Sequence, residues 1–415
     1  MALNETQVAA NELERVEPKV TTLFERDSLF YANVEKRPVQ VISNRDMRIP
    51  LELKPGGNFG HFDPAGGDLA RGDGPTFDKA VINTVHFKFG VEWQKKAEWA
   101  TDDKRKAVLD TFRHLLAKSM AEFRRQIDSV CMTPGTGVVG TISSTNGGTT
   151  TLTLGTDGFG VRLLRYGQKI NIYDATLATC RTTGDERTIT AIDPVAKSIT
   201  YSGAAVAGCV ATDKIVLSGL SGANPVSLLG VPYHHSSAST GNWLGLDRAA
   251  NAEVRANSVN AAGNLALPFA RLAVNKINER IGMETTVKMN AWMHPCQVQA
   301  YEELGQLYMS IQKNGAKSFD PYFSDNLQIA GIPIKKSFSW DKTRIDFVVN
   351  DAWGRAEFHA PGFYTESGRK IFELRGASGG VAAASIFYIV ASFNLFVNNP
   401  PACSYIYGLT VPSGY

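Results

Sequence analysis

The chain has 415 residues, which is enough for two to three domains of about 150 residues each. Its hydrophobic fraction of 43% and charged fraction of 20% are those of a folded protein, which excludes general disorder, a collagen-like chain and a disulfide scaffold. The formal net charge is only +3, from 43 basic and 40 acidic residues, so bulk charge gives no argument for strong nucleic-acid binding.

Cysteine usage and the apolar segments point away from a secreted or membrane protein. The five cysteines are an odd number without any C-x-x-C pair, which indicates reduced thiols. The N-terminus has no apolar stretch behind a basic head, so we expect no secretory signal. Residues 380–397 form an uncharged run of 18 residues, the lower limit for a membrane-spanning helix. Its β-branched, aromatic and polar content favours one or two buried strands instead.

The first hundred residues predict an arm followed by a protruding loop. Residues 1–44 are interpreted as an extended N-terminal arm with a short helix. Residues 45–100 are interpreted as an extended β-hairpin loop, in which the run Met47–Leu53 leads into the glycine-rich stretch Lys54–Asp78. Apolar and polar residues alternate from Val85 to Trp93, which predicts the returning strand. Because an isolated hairpin is marginally stable in water, we expect this one to rest on another surface.

Residues 101–134 change to a helical period. Thr101 is a suitable N-cap, apolar side chains recur at helical spacing, and Pro134 ends the pattern. Some 30 residues correspond to a helix of about 45 Å. Its polar face is rich in lysine and arginine, which we interpret as a solvated face balanced by acidic residues. The alternative is a face turned toward a packaged polyanion.

Residues 135–222 have a different composition, dominated by threonine and glycine. Gly135–Gly140 matches G-x-G-x-x-G, but the dinucleotide fingerprint requires a preceding strand and a following helix, and neither is predicted here. We therefore interpret it as a flexible domain linker. Short alternating runs at close spacing predict an inserted small all-β barrel or sandwich domain. These runs are Thr150–Leu154, Lys169–Asp174, Arg187–Asp193, Ser198–Ser202 and Lys214–Ser218.

Mixed α/β character returns from residue 223 and gives way to strands at the end, so the fold class is α+β. Pro268 near the start and Gly282 at the end delimit a helix, which is followed by an alternating strand over Val287–Met293 and a helix from Pro295. From Arg344 onward the sequence predicts strands.

No motif predicts catalysis, a cofactor or a metal ion. The pair His234–His235 and the pair His294 and Cys296 lack further ligands at useful spacing. Glu302 and Glu303 point in different directions on a helix, so they do not form a carboxylate dyad. We therefore expect no enzyme.

The order of elements resembles the major capsid proteins of tailed bacteriophages, which have the HK-ninety-seven-like fold. The resemblance lies in four successive segments and a closing strand, and their order covers nearly the whole chain. These segments are LPFARLAVNKINERIG, VKMNAWMHP, CQVQAYEELGQLYMSI, AGIPIKKS and the terminal NNPPACSYIYGL. By this resemblance, 101–134 is the spine helix of a peripheral domain, 223–375 is the axial domain, and 376–415 are strands that return to the peripheral domain. The inserted domain follows the spine helix directly, which departs from the best-known example.

The resemblance implies a structural protein that self-assembles into hexamers and pentamers and forms an icosahedral shell around double-stranded DNA. Partners would be other copies of the chain, a separate scaffolding protein because the arm is short, and a portal protein, with a decoration protein as a further candidate and no membrane. The location would be the virion capsid, assembled in the host bacterial cytoplasm. Charged residues near the loop tip would form pairs between subunits, and apolar residues would pack its underside. These residues are Lys54, Asp63, Arg71, Asp73 and Lys79 for the pairs, and Phe87, Phe89 and Trp93 for the underside.

Three other classes of protein are alternatives to a phage capsid protein. An encapsulin-type compartment has the same fold, but it needs neither the inserted domain nor the extra length. A hydrolase with a β accessory domain lacks its nucleophile, metal or phosphate motif. A membrane-anchored surface protein would use residues 380–397 as its span and Arg71–Asp73 as an adhesion tripeptide.

Overall fold

The computed structural model describes most of the chain as an α+β fold in which strands predominate. Elements predicted at 1–28, in 101–118 and at Asp63 lie outside the described residues. The described residues are 29–36, 40–41, 46–61, 71–94, 119–144, 148–155, 159–182, 185–220, 222–282, 288–309, 327–375 and 381–412.

All but one of the helices that the structure describes lie where the sequence predicts them; the exception is the short helix Val231–His234, which the sequence does not predict. Helix 119–130 buries Phe123, Ile127 and Val130, which recur at helical spacing. Helix Leu267–Ile281 has Pro268 in its first turn and ends at Gly282, whose φ of 104° suits a glycine. The remaining helices are Leu29–Asn33, Val231–His234 and Pro295–Met309, with 3-10 turns at Ala252–Val254, Asn350–Ala352 and Pro400–Ala402.

All five runs predicted between residues 150 and 218 are strands of one six-stranded sheet. The first and last strands meet: Ile142 bridges Leu154, and the amide of Ser143 donates to the Thr153 carbonyl at 2.9 Å. The sheet therefore closes into a barrel, whose interior is filled mainly by isoleucine and leucine. The strands, in spatial order, are Val138–Thr141, Lys214–Leu217, Lys169–Tyr173, Arg187–Asp193, Ser198–Tyr201 and Thr151–Thr153.

The interpretation of Gly135–Gly140 as a flexible linker is wrong, because the second half of this motif belongs to the barrel strand Val138–Thr141. The first half is also hydrogen-bonded: the carbonyl of Gly135 accepts from Ser227 at 2.8 Å, and that of Gly137 accepts from Leu217 at 3.2 Å. Both glycines have positive φ, of 91° and 70°, which the tight exit from the preceding helix requires.

The second half of the chain forms a six-stranded central sheet of mixed direction. Its strand Met289–Met293 is buried along its whole length, because it lies between two neighbouring strands and both faces are covered. The strands, in spatial order, are Asn257–Gly263, Ser404–Leu409, Ile345–Val349, Met289–Met293, Ile332–Lys336 and Gln328–Ile329, and a separate small pair joins Asn242–Trp243 to Leu246–Asp247.

The apolar run near the C-terminus is one strand, Val381–Val397, which confirms the prediction of a buried strand. On one edge it pairs with Trp353–Phe363 and Ile371–Arg375, and on the other edge with Val85–Gln94. We call these four strands the C-terminal sheet. Its inward side chains share one core with helix 119–130 and the central sheet. None of the helices in the described part of the chain has the length and apolar character that crossing a membrane requires.

The sequence predicts the wrong returning strand for the loop. Strand Asp46–Lys54 pairs with Thr76–Asn83, while Val85–Gln94 joins the C-terminal sheet instead. The physical reason is that the apolar face of Val85–Gln94 matches a long apolar partner in Val381–Val397. We call the antiparallel pair Asp46–Lys54 and Thr76–Asn83, with the segment between them, the ribbon; a short strand, Gln40–Val41, flanks it at the base.

Candidate assembly surface

The base of the ribbon is fixed to the body of the molecule. Met47, Ala80 and Ile82 are buried in a cluster with Trp243 and Phe396. The amide of Val81 also donates to the Leu244 carbonyl at 2.8 Å, and the side-chain amide of Asn394 donates to the Asn83 carbonyl at 2.7 Å. Backbone and core contacts thus set the direction in which the ribbon leaves the body.

Beyond Leu53 the ribbon has no described core of its own. Residues 54–61 and 71–79 are all exposed. The two described segments are nevertheless closely paired beyond Leu53, because the amide of Gly57 donates to the Asp73 carbonyl at 2.8 Å, and a Cβ at Gly56 would lie 2.5 Å from the backbone nitrogen of Pro75. A two-stranded extension whose described residues beyond Leu53 are all exposed has a suitable shape for lying on another molecule.

Two exposed aromatic side chains on the ribbon were not singled out from the sequence. Phe59 is fully exposed and Phe77 is 66% exposed. Large apolar side chains on a projecting element indicate a contact surface, since they gain nothing from water. The sequence feature that could have indicated them is the presence of phenylalanine in a stretch that is otherwise glycine-rich and polar.

The structure places four of the five charged residues predicted for the tip on the exposed ribbon. Lys54, Arg71, Asp73 and Lys79 are exposed. Within the described part of the chain, none of the four takes part in an ion pair. Asp63 lies outside the described residues. The pairing of these five charged residues with a neighbouring subunit stays a prediction.

The three apolar residues predicted for the underside of the loop are placed elsewhere. Phe87, Phe89 and Trp93 lie on the inward face of Val85–Gln94, partly buried against the main core. Phe87 and Trp93 contact rings of the C-terminal strand, with centroids at 5.6 and 5.9 Å, and Phe89 contacts Phe123 at 6.1 Å. They therefore pack the body of the chain rather than the ribbon, which follows from the corrected strand pairing.

The adjacent histidines are structural groups with different partners. His234 accepts a hydrogen bond at Nδ1 from the Trp243 indole at 3.2 Å, and burial lowers its pKa to about 3. His235 lies 2.8 Å from a carboxylate oxygen of Asp346. Burial would raise the pKa of Asp346, but Arg344 and His235 hold it at about 2. The two rings thus stabilise the core and do not converge on a common ligand.

The second histidine candidate does not form a metal site either. His294 accepts a hydrogen bond at Nδ1 from the amide of Cys296 at 3.1 Å, which caps helix Pro295–Met309. Burial, then the charges of Arg162 and Lys342, lower the pKa of His294 to about 3. Among the residues that the structure describes, no group of three or more histidine, cysteine, aspartate or glutamate side chains could hold a metal ion.

Comparison with solved structures identifies the class of fold. The chain is similar to the capsid asymmetric unit of cyanophage A-1(L), with a TM-score of 0.53 over 94% of this chain and 93% of the other, at 12% identity. The bacteriophage PhiM1 mature capsid gives 0.42 over 92% and 86% at 10% identity, and the virus-like particle from Pyrococcus furiosus gives 0.37 over 95% and 98% at 8% identity. The last two scores are too low to establish a shared fold. No protein-family model and no curated protein matches the chain.

The chain therefore has the α+β fold of a phage capsid protein. At 12% identity the similarity establishes the fold alone. It confirms, at that level, the resemblance to the capsid proteins of tailed bacteriophages that the order of sequence elements indicated.

Proposed function

We propose that this chain is a capsid protein that assembles with copies of itself into hexamers and pentamers of an icosahedral shell around double-stranded DNA. The observation that carries the proposal is the ribbon, which is fixed at its base and exposed with two phenylalanines beyond Leu53. The fold shared with the cyanophage A-1(L) capsid supports it.

Assembly of this kind needs no catalysis. The ribbon of one subunit lies on a neighbour, so that its exposed aromatic rings are buried only in the assembly. Each contact between subunits is weak, but a subunit in a closed ring makes several contacts at once. The combined affinity is therefore much higher than that of a single contact. The charged residues Lys54, Arg71, Asp73 and Lys79 add pairs between subunits and fix the register of the ribbon on its neighbour.

The remaining partners follow from the same proposal. A separate scaffolding protein directs shell closure, a portal protein occupies one vertex, and a decoration protein is a further candidate for the outer surface. DNA is contacted without sequence preference through dispersed lysine and arginine. The protein is part of the virion capsid and assembles in the cytoplasm of a host bacterium. We propose no enzymatic activity.

A compartment shell that encloses a protein cargo is the second candidate, because it uses the same assembly principle. The two candidates differ in their contents. Particles purified from the natural source should protect double-stranded DNA from nuclease if the first proposal is correct, and a defined protein cargo without DNA would favour the second.

Electron microscopy and sedimentation of the overexpressed chain test self-assembly, with and without a co-expressed scaffolding protein from the same genome. The sharper test replaces Phe59 and Phe77 by serine. We expect loss of shells with an unchanged urea midpoint of the unassembled chain, because neither side chain contributes to the described core. Val195→Ser, at an exposed barrel turn, is the matched control and should assemble. A compact monomer under all conditions, or normal shells from the double variant, would contradict the proposal.

The predicted charge pairs at the tip have their own test. Replacing Arg71 and Asp73 together by alanine should reduce assembly or the heat resistance of the shells, while the unassembled chain keeps its stability because both side chains are exposed. Unchanged assembly and heat resistance would mean that the tip charges are not used between subunits.

A further inference from the structure

Positive charge is concentrated where the barrel meets the start of helix Pro295–Met309. The guanidinium of Arg162, on the barrel, donates to three backbone carbonyls, those of Phe159, Phe338 and Trp340, at 3.1, 2.5 and 3.1 Å. These bonds hold the guanidinium at the turn that leads to Lys342. The carbonyl of Lys342 accepts from the side-chain amide of Gln297, in the first turn of the helix, at 2.7 Å. The ring of His294, directly before the helix, contacts that of Phe338 with centroids at 6.2 Å.

Three titratable groups show that the charges of Arg162 and Lys342 act at the same place. Burial, then the charge of Arg162 and, more weakly, that of Lys197, lowers the pKa of Lys342. Burial, then the charges of Arg162 and Lys342, lowers the pKa of His294 to about 3. At Cys296 burial raises the pKa of the thiol, and the charges of Lys342 and Arg162 oppose this effect. The two cations therefore create a positive potential at the start of the helix, which favours an anion there.

The carboxylates nearest in sequence to Lys342 are engaged within the fold. The Oδ1 atom of Asp341 accepts hydrogen bonds at 2.8 Å from the amide and from the hydroxyl of Thr343. Asp346 is buried and bonded to Arg344. These two negative charges therefore act on other groups of the protein and do not take the place of an external anion.

A phosphate group matches this arrangement better than a carboxylate does. It carries up to two negative charges and three oxygens that are strong hydrogen-bond acceptors. A guanidinium with a fixed position and an ammonium on a flexible stem are both side chains that proteins use to bind phosphate. The turn also holds a buried hydroxyl, that of Ser337, which has no hydrogen-bond partner in the described part of the chain. The helix dipole adds to the attraction, since its positive end lies at Pro295.

We propose that Arg162 and Lys342 bind a phosphate group where the barrel meets the start of helix Pro295–Met309. The bound phosphate bridges the barrel and the turn before strand Ile345–Val349, so its binding strengthens the attachment of the barrel to the central sheet. The phosphate is either a free ion or part of a nucleic-acid backbone. The proposal does not depend on the chain forming a capsid.

Calorimetric titration of the full-length, unassembled protein with inorganic phosphate tests the site, and sodium chloride of equal ionic strength corrects for screening. We expect Lys342→Gln to weaken phosphate binding about tenfold, because one charge-assisted contact is lost. The fold should be unaffected, since Gln297 bonds to the backbone carbonyl at this position. Lys169→Gln, at an exposed lysine of the barrel, is the matched control and should bind as the natural chain does. Phosphate that binds no better than chloride, or equal affinity in the natural chain and Lys342→Gln, overturns the proposal.

The ionisation of Lys342 gives an independent measurement. Reductive ¹³C-methylation of the lysines followed by NMR measures the pKa of this amine with and without phosphate, and the variant Lys342→Arg assigns its signal. If phosphate binds the protonated amine about tenfold more tightly than the neutral amine, it raises the pKa by about one pH unit. An unchanged pKa at saturating phosphate overturns the contact with Lys342.

A short double-stranded DNA distinguishes the two sources of the phosphate. If the site holds a backbone phosphate, Lys342→Gln also weakens DNA binding, and the slope of log affinity against log salt concentration falls by about one. If the site holds only a free phosphate ion, the same variant loses phosphate binding and keeps its DNA affinity. Both results support the phosphate site and differ only in its occupant.

Discussion

Asp128 of helix 119–130 is a buried carboxylate whose replacement should stabilise the protein in a pH-dependent way. Its Oδ1 atom accepts the amide of Phe30 at 3.1 Å, at the start of helix Leu29–Asn33. Burial raises its pKa to about 6, although the amides of Phe30 and Tyr31 stabilise the ionised form. The charged state is thus less favourable in the folded chain than in the unfolded chain.

The magnitude follows from the difference between about 6 and the ordinary value of 3.8. This difference corresponds to about 3 kcal/mol of unfolding free energy that is present below about pH 4 and is lost as the pH rises through 6. Asp128→Asn removes the charge and keeps an oxygen that accepts the Phe30 amide. Because the pKa of about 6 already includes the hydrogen bonds from Phe30 and Tyr31, we expect a gain of about 3 kcal/mol at pH 7.5, which falls to about 1 kcal/mol at pH 4.5.

Urea unfolding of the unassembled chain at pH 4.5, 6.0 and 7.5, followed by tryptophan fluorescence, measures this gain. The indole rings of Trp292, Trp340 and Trp353 surround Phe30, so the signal reports on this region. Asp351→Asn, at an exposed carboxylate, is the control and should show little pH-dependent change. A variant that is less stable than the natural chain at pH 7.5, or one whose difference is equal at pH 4.5 and 7.5, would refute the reasoning.

Three further substitutions test the packing of one strand and a buried ion pair. A Cβ at Gly354 would lie 2.4 Å from the ring of Phe396 on the neighbouring strand, so Gly354→Ala should cost about 1–3 kcal/mol of unfolding free energy. Gly362→Ala on the same strand has its nearest neighbouring atom at 3.7 Å and should be nearly neutral, and equal urea midpoints of the two variants would contradict this. Asp346→Asn leaves the charge of Arg344 without its buried carboxylate and should cost about 3–5 kcal/mol, measured in the same way; an unchanged midpoint would mean that the pair adds nothing.

Periodicity predicted most individual elements but not which strand pairs with which. The barrel runs, helix Leu267–Ile281 and strand Met289–Met293 were all found from local pattern. The sequence places the returning strand of the ribbon at Val85–Trp93, where apolar and polar residues alternate, and assigns the residues up to Asp78 to the glycine-rich tip. Local alternation identifies a strand and its apolar face, but the partner depends on which distant face matches it. The long apolar C-terminal strand was that partner, about three hundred residues away in sequence.

The C-terminal strand also shows why a buried strand can resemble a membrane segment in sequence. Along Val381–Val397, Phe387, Ile389 and Ala391 are fully buried, while Tyr388 and Val390 between them are partly exposed. The alternation is present in the structure but hidden in the sequence, because the outer side chains are apolar too. The exposure of Phe59 and Phe77 on the ribbon could not be predicted either, because no periodic pattern around them shows which side faces solvent.

The contacts of the barrel attach it to the rest of the fold at several points. It has its own apolar interior, yet Phe159 and Leu217 pack against both that interior and the main core. Arg165 forms a salt bridge with Glu122 of helix 119–130 at 3.1 Å, and Arg162 is bonded to two carbonyls beside the central sheet. Attachment at several separate points prevents rotation about a single linker. These contacts fix the position of the barrel against helix 119–130 and the edge of the central sheet.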